Sequence, residues 1–349
     1  MDMFLGFGIA LIAFTASYLL VSGIRRWAER RRILDIPNPR SLHTRPVPRG
    51  GGLAIVVISL IGLIIIWILR PAWPWSTLFA YVSGATLIAF VSWLDDLRSL
   101  PNRVRFAVHS LSAVIVILGI GYWSKIYLPL LGTINLGWLG LAITFLWLVG
   151  LTNAYNFMDG IDGIASGQAV VAGLGWTILG WMDNQPLVVA LGLLLAASSL
   201  GFLGHNWSPA RIFMGDVGSA FLGYTFAVLP VVAGQHDPRF ALVGVLLVWP
   251  FVFDTAFTFL RRLLNRENVF TAHRSHLYQR LEITGISHKN VASLYIGLAI
   301  IGLVCSVALV MEWRWADYLT AIVMVVAPLI LWLGTRWKEC SISKTANSL

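Results

Sequence analysis

Charge is what this chain has little of: 12% of its 349 residues are Asp, Glu, Lys or Arg, and the mean hydropathy is +0.78. So sparse a polar complement excludes an ordinary soluble enzyme and points to a polytopic membrane protein. Cysteine is scarcer still. Cys305 lies within an apolar stretch and Cys340 near the end, too isolated for a disulfide framework or a thiolate metal site. Acidic residues number 16 against 25 Lys and Arg, so a carboxylate beside an apolar run needs a physical reason to be there. A basic segment ahead of the first apolar run is also missing. Five arginines (Arg25, Arg26, Arg30, Arg31, Arg32) follow that run instead, so it reads as a retained anchor and not a cleaved signal.

Long apolar runs are what the chain has in abundance. Eleven are long enough to cross a bilayer, at residues 3–24, 52–69, 76–94, 104–122, 136–153, 164–181, 186–204, 217–234, 239–260, 291–311 and 316–335. The segment from Lys125 to Leu131 reads as a short interfacial piece. The expected fold is an all-α polytopic integral membrane protein of about 11 transmembrane helices, with one transmembrane domain over residues 1–340 and a short tail at 341–349. Of the 25 basic residues, 21 fall in the loops after odd-numbered spans and in the tail, leaving Arg70, Lys125, Arg239 and Arg314 on the other side. The positive-inside rule then sets the N-terminus outside and the C-terminus in the cytoplasm. The net charge of +9 is accounted for by topology and anionic lipid, and requires no nucleic acid.

Polar motifs interrupt these runs at one membrane face. NAYNFMDGIDGIA, Asn153 to Ala165, sets Asn153, Asn156 and Asp159 three apart, on one side of a helical end, with Asp162 following. Gly160 and Gly163 allow turns after each aspartate. The cluster suits a hydroxyl-rich, phosphorylated ligand or a hard metal ion. In SLHTRPVPRGGG, Pro46 and Pro48 stiffen a segment whose glycines expose N–H groups beside Arg45 and Arg49, a phosphate-binding approach or a basic topogenic loop. Asp95 and Asp96 sit together at a helix C-terminus, against the negative end of its dipole. They call for Mg²⁺ or for a guanidinium from Arg98, Arg103 or Arg105. Asp216, in FMGDVGSAFLG, reads as a helix N-cap or as a Mg²⁺ ligand completed by phosphate oxygens and water. Asn206, just upstream, reads as a contact to a base or sugar, or as structural. Asp254, within an apolar span, reads as support for the site, and His273, Arg274 and His276, near Arg280, as anion-binding in preference to zinc-binding. Carboxylates and basic groups from five loops converging on one face suit the joining of a charged soluble molecule to a lipid phosphate.

DDLRS, NAYNFMDGIDGIA, FMGDVGSAFLG, VFDT and HRSHLYQRL together resemble the polyprenyl-phosphate N-acetylhexosamine-1-phosphate transferase family, which includes the WecA, WbpL and MraY enzymes (glycosyl transferase family 4). The resemblance runs from about Arg40 to Leu281, and the HRSHLYQRL form looks most like the WbpL branch, which starts O-antigen and hence lipopolysaccharide synthesis. It implies a phosphoglycosyltransferase of the bacterial inner membrane, acting at the cytoplasmic face. The implied reaction moves a sugar 1-phosphate from a UDP-N-acetylated sugar to undecaprenyl phosphate, releasing UMP, with Mg²⁺ as cofactor and Mn²⁺ as an alternative. It implies that Asp216 holds the metal and that Asp95 and Asp96 lie by the metal and the attacking phosphate. Asn153, Asn156, Asp159 and Asp162 would shape the nucleotide pocket, with Asn206 and Phe213 near the uracil and His273, Arg274 and His276 on the diphosphate. Arg45 and Arg49 would approach phosphate, and a homodimer is compatible with the family. Two departures stand out: Ser275, Tyr278 and Gln279 replace polar family positions in the last motif, and Arg98 and Ser99 stand where the MraY branch has a lysine. The competing class is a transporter or flippase, which would carry binding groups near the midplane.

Overall fold

The computed structural model describes residues 3–37, 45–268 and 274–347, with side chains described as far as Ser341. Its order is α1 (Met3–Arg31), β1 (Leu34–Asp35), β2 (Val47–Pro48), α2 (Leu53–Leu69), α3 (Trp75–Arg98), α4 (Asn102–Gly119), β3 (Lys125–Leu128), β4 (Gly132–Asn135), α5 (Leu139–Phe157), α6 (Ile164–Met182), α7 (Pro186–Asn206), α8 (Asp216–Gly234), α9 (Arg239–Leu247), α10 (Trp249–Leu264), α11 (Leu277–Ile283), α12 (His288–Val310) and α13 (Ala316–Asn347). All eleven expected spans lie on helices. Sequences such as LAIVVISLIGLIIIWIL in α2 are dense in β-branched residues that gain little as helices in water. In a bilayer the backbone has no other donors and acceptors to turn to, and helix is the outcome. Among the described residues nine helices have the length and apolarity to cross a membrane, and α9 with α10 makes a tenth. α2, apolar throughout but 17 residues long, stands outside that count.

The ninth expected span is not one helix. α9 and α10 meet at an angle of 80°, because Pro250, in the first turn of α10, has no N–H to give to the preceding turn and its ring blocks that turn's carbonyl. α13 continues past the last expected span as far as Asn347, so the first residues of the expected tail are helical. The segment read as an interfacial piece forms half of an antiparallel hairpin, β3 pairing Lys125 with Asn135.

α8 is the buried centre, packed by α2, α3 and α5, while α6 and α7 form the tightest helix pair. At that contact a Cβ on Gly173 would fall 2.8 Å from the Gly192 carbonyl oxygen. Small residues there let two backbones touch, which is how helices gain contact where lipid supplies no hydrophobic drive. α1 lies on α7, tied by Ser17 Oγ donating to the Ser198 carbonyl at 2.7 Å. With this alternation, the C-terminal ends of α3, α5, α7 and α10 and the N-terminal ends of α2, α4, α6 and α8 gather at one end of the bundle. The polar motifs are carried there.

Candidate active site

Asp216 is the first residue of α8 and follows Gly215, which has φ +76°. A Cβ at Gly215 would stand 2.7 Å from an Asp96 carboxylate oxygen, so glycine is required both by its conformation and by the approach of that carboxylate. The two neighbouring aspartates of α3 do different things. Asp96, buried, accepts the backbone N–H groups of Asp216 at 3.0 Å and Val217 at 3.1 Å, so its carboxyl group caps the start of α8. Asp95, also buried, accepts the Leu100 N–H and, at 2.9 Å, an Arg105 guanidinium nitrogen. That same nitrogen reaches Asp216 at 3.1 Å. One cation therefore joins two carboxylates from helices far apart in sequence. Asn156, at the end of α5, completes the core by donating its amide to Asp216 and to the Ser219 hydroxyl, both at 2.9 Å.

The glycine-rich segment before α2 does not offer a ring of open N–H groups. Gly51 and Gly52 donate to the carbonyls of Phe213 and Met214 at 3.0 and 2.9 Å, and the Phe213 N–H donates back to the Pro48 carbonyl at 2.8 Å. A Cβ on Gly52 would lie 2.4 Å from Gly218 Cα. The segment is a strap across the start of α8. It carries Arg49, whose guanidinium donates to the Asp96 backbone carbonyl, while Arg45 is exposed ahead of β2.

Asp159 and Asp162, between α5 and α6, are in opposite electrostatic states. Burial, then repulsion from Asp216, Asp96 and Asp162, pushes the Asp159 carboxyl well above the usual range. Burial alone would raise Asp162 too, but hydrogen bonds from His288 and the Ala210 N–H outweigh it and hold that carboxyl below its ordinary value. Asp162 Oδ2 lies 3.1 Å from the Ala210 nitrogen and 3.4 Å from His288 Nδ1. Asn206 is buried, and its amide is committed within the protein: its oxygen accepts the Gly163 N–H at 3.0 Å and the Ser166 hydroxyl at 2.9 Å, and its nitrogen donates to the Ile212 carbonyl at 3.1 Å. Its arrangement is that of a cross-link between the two loops. Asn153 turns back on its own helix, donating to the Val149 carbonyl at 2.7 Å.

The profile of glycosyl transferase family 4 matches residues 78–234, from α3 through α8. A probable undecaprenyl-phosphate N-acetylglucosaminyl 1-phosphate transferase of Bacillus subtilis (strain 168) is 32% identical over 80% of this chain and 78% of its own length. The chain belongs to glycosyl transferase family 4. Other relatives of this family 4 chain include a decaprenyl-phosphate N-acetylglucosaminephosphotransferase of Mycobacterium tuberculosis (strain ATCC 25618 / H37Rv), 30% identical over 86% of this chain and 82% of the relative. A phospho-N-acetylmuramoyl-pentapeptide-transferase of Synechococcus sp. is 33% identical over 66% of this chain and 68% of its own length.

In this family 4 chain the last motif lies beyond the profile match and is organised by Asp254 of α10. Fully buried, Asp254 accepts the N–H groups of Leu277 at 2.8 Å and Tyr278 at 3.1 Å, the Tyr295 hydroxyl at 2.6 Å, and approaches His276 Nδ1 at 3.3 Å. The support role expected of Asp254 is thus a cap on α11. Tyr278 then donates to the Phe157 carbonyl at 3.0 Å and joins this loop to NAYNFMDG. Arg280, expected near an anion, is instead paired with Glu339 of α13 at 2.7 and 2.6 Å. Arg274 is half-buried beside this loop, and His273 lies outside the described residues. Ser219 and His288 were not anticipated. Ser219 follows an already polar motif and His288 lies in the run Ser287 to Asn290, which reads as a helix start, and only the folded chain brings them to Asn156 and Asp162.

Among the described residues no three His, Cys, Asp or Glu side chains are gathered to cage an ion. The donor set is rather a carboxylate pair, Asp95 and Asp216, already converging on one cationic nitrogen. A pair of that kind suits Mg²⁺, which takes one or two carboxylates and fills its shell with phosphate oxygens and water.

Proposed function

We propose that the chain transfers an N-acetylhexosamine 1-phosphate from a UDP-sugar to undecaprenyl phosphate, releasing UMP, at the cytoplasmic face of a bacterial inner membrane. The observation that carries this reading is the convergence of Asp95 and Asp216 on one cation, beside Asn156, at the end of an apolar bundle. The relatives, named as polyprenyl-phosphate N-acetylglucosamine-phosphate transferases and a phospho-N-acetylmuramoyl-pentapeptide-transferase, support it. An oxygen of the lipid phosphate attacks the sugar-bearing phosphorus, the bond from that phosphorus to the UMP oxygen breaks, and UMP leaves with the electron pair.

Each residue's part follows from its partners. Asp216 would hold Mg²⁺, with Mn²⁺ as substitute, and Asn156 fixes its carboxylate through a hydrogen bond at 2.9 Å. A divalent ion held there would supply neutralisation of diphosphate charge and of the charge on departing UMP. Asp95, engaged by the Leu100 N–H and Arg105, serves to orient the arriving groups. A base is not demanded, since a phosphomonoester with its second pKa near ~6 is largely dianionic at neutral pH. Arg105, which bridges Asp95 and Asp216, would also be within reach to pair with phosphate oxygens. Asp159, Phe213, Arg274 and His276 would form the remaining wall for the nucleotide and diphosphate in this reading.

Initiation of O-antigen synthesis is the finer reading, drawn from the HRSHLYQRL form. The test is a membrane assay with undecaprenyl phosphate, Mg²⁺ and a panel of UDP-N-acetylated sugars, scoring UMP and lipid-linked product. Expected is product with at least one sugar. Preference for UDP-N-acetylglucosamine over 6-deoxy sugars would reassign the branch, and no UMP with any donor would remove the proposal.

A further inference from the structure

His288 opens α12, a place where the helix dipole favours a carboxylate over a basic side chain. Ser287 already caps the helix by accepting the Asn290 N–H at 3.4 Å. The helix start therefore does not call for this histidine. Ser287, Lys289 and Asn290 are exposed, while His288 turns inward between two carboxylates from other elements. Its Nδ1 lies 3.4 Å from Asp162 Oδ2, and its Nε2 lies 3.8 Å from Glu282 Oε1. An imidazole suits that place, since it presents one nitrogen to each partner. Both partners belong to walls of the candidate site. Asp162 stands in the α5–α6 loop and also accepts the Ala210 N–H, from the loop before α8, at 3.1 Å. Glu282 is near the end of α11, and near its start Tyr278 donates to the Phe157 carbonyl at 3.0 Å. α11 is thus fastened to the α5–α6 loop twice. Between the two ties the loop carries Asp159, and α11 carries His276 as its N-cap.

We propose that His288 is a positioning residue for nucleotide binding, its ring bridging Asp162 and Glu282 so that the α5–α6 loop and α11 keep a fixed separation around the nucleotide. The role rests on the function proposed above and adds what holds the walls of that pocket in register. His288 acts through its two partners. Asp162, expected from the sequence to shape the nucleotide pocket, has its Oδ2 engaged by Ala210 and His288, so it shapes that pocket by joining three segments of chain. The bridge shares no residue with the group of Asp95, Arg105 and Asp216. Its loss should therefore fall on nucleotide affinity and spare the chemical step.

UMP is the probe, because every UDP-sugar contains it and the identity of the sugar then does not matter. Its binding is measured by titration calorimetry on the full chain in lipid nanodiscs with Mg²⁺. His288→Ala is expected to weaken UMP about tenfold, or ~1.4 kcal/mol, and to leave kcat at saturating UDP-sugar within about twofold. Lys289→Ala, one residue on and exposed, should change neither. The decisive reading is a double-mutant cycle with Asp162→Asn. If the two residues act through one contact, the double variant binds UMP no more weakly than the worse single variant; independent structural damage would multiply the two losses. Multiplied losses, wild-type UMP affinity in a folded His288→Ala, or a fall in kcat as large as the loss of affinity would overturn the role. If His288→Ala does not fold, Glu282→Gln, at the more exposed end of the bridge, decides: it should weaken UMP about threefold (~0.65 kcal/mol), and unchanged affinity removes the proposal. A wild type that binds no UMP removes the functional reading itself, and this role with it. A wild type that binds UMP, with variants that bind it equally well, removes only the role of His288.

Discussion

Arg105 is the residue on which the site's electrostatics turn. A single nitrogen of its guanidinium faces Asp95 and Asp216, and without it a buried and a half-buried carboxylate confront each other unscreened by a cation. Arg105→Gln is expected to cost about 1–3 kcal/mol of stability in EDTA, with Mg²⁺ restoring a substantial part. Thermal unfolding with and without EDTA measures this, and an EDTA curve identical to wild type would count against the shared-cation description. Asp162 sets a pH dependence of definite sign. Its carboxyl is held below the ordinary value, so its contribution is present above the unfolded value of ~3.9 and is lost as pH falls through the lower folded value. Asp162→Asn should therefore be less stable than wild type at neutral pH and should lose less on acidification below about pH 4. Parallel denaturation curves across that range would contradict it.

At the scale of elements, α11 exists because α10 breaks. Pro250 turns α10 by 80° from α9, and Asp254, one turn further on, meets the start of α11 and binds two of its N–H groups. Asp254→Ala strands those donors and the Tyr295 hydroxyl, at an expected cost of about 3 kcal/mol, and should raise the KM for the UDP-sugar more than it lowers kcat. Chemical denaturation with steady-state kinetics checks both; a stable variant with wild-type KM would show that α11 holds its place by other means. These elements also mark how far the sequence was legible. Helices α1 to α8 follow from apolar length alone, because hydropathy reports the bilayer directly. The bend at Pro250 was missed because a proline near a helix start and one within a span look alike until the chain is folded, as the unbroken Pro230 in α8 demonstrates. Asp216, Asp95 and Asn156 were readable because charge beside an apolar run has few explanations. Asn206 and Arg280 were read as ligand contacts, yet their partners, Gly163 and Glu339, lie 43 and 59 residues away. Such pairings leave no local trace.

For the whole molecule, the alternation of helices gathers every catalytic candidate at one end, and the basic loops argue that this end is cytoplasmic. The two cysteines test it. Cys305 is buried and Cys340, near the end of α13, is exposed. A membrane-impermeant maleimide should label Cys340 in inverted membrane vesicles and not in intact spheroplasts, with Cys305 silent until denaturation. The reverse pattern would invert the orientation. The central claim is narrower, that Asp216 is the metal-holding carboxylate of a sugar-phosphate transfer. It is tested most directly by Mg²⁺-dependent UMP release from purified wild type and Asp216→Asn in nanodiscs with undecaprenyl phosphate. The account predicts a fall in kcat of about 10²–10³-fold or more, the range found for loss of one group that stabilises transition-state charge, with the unfolding midpoint in EDTA retained or raised. Near-normal turnover by the folded variant would contradict it.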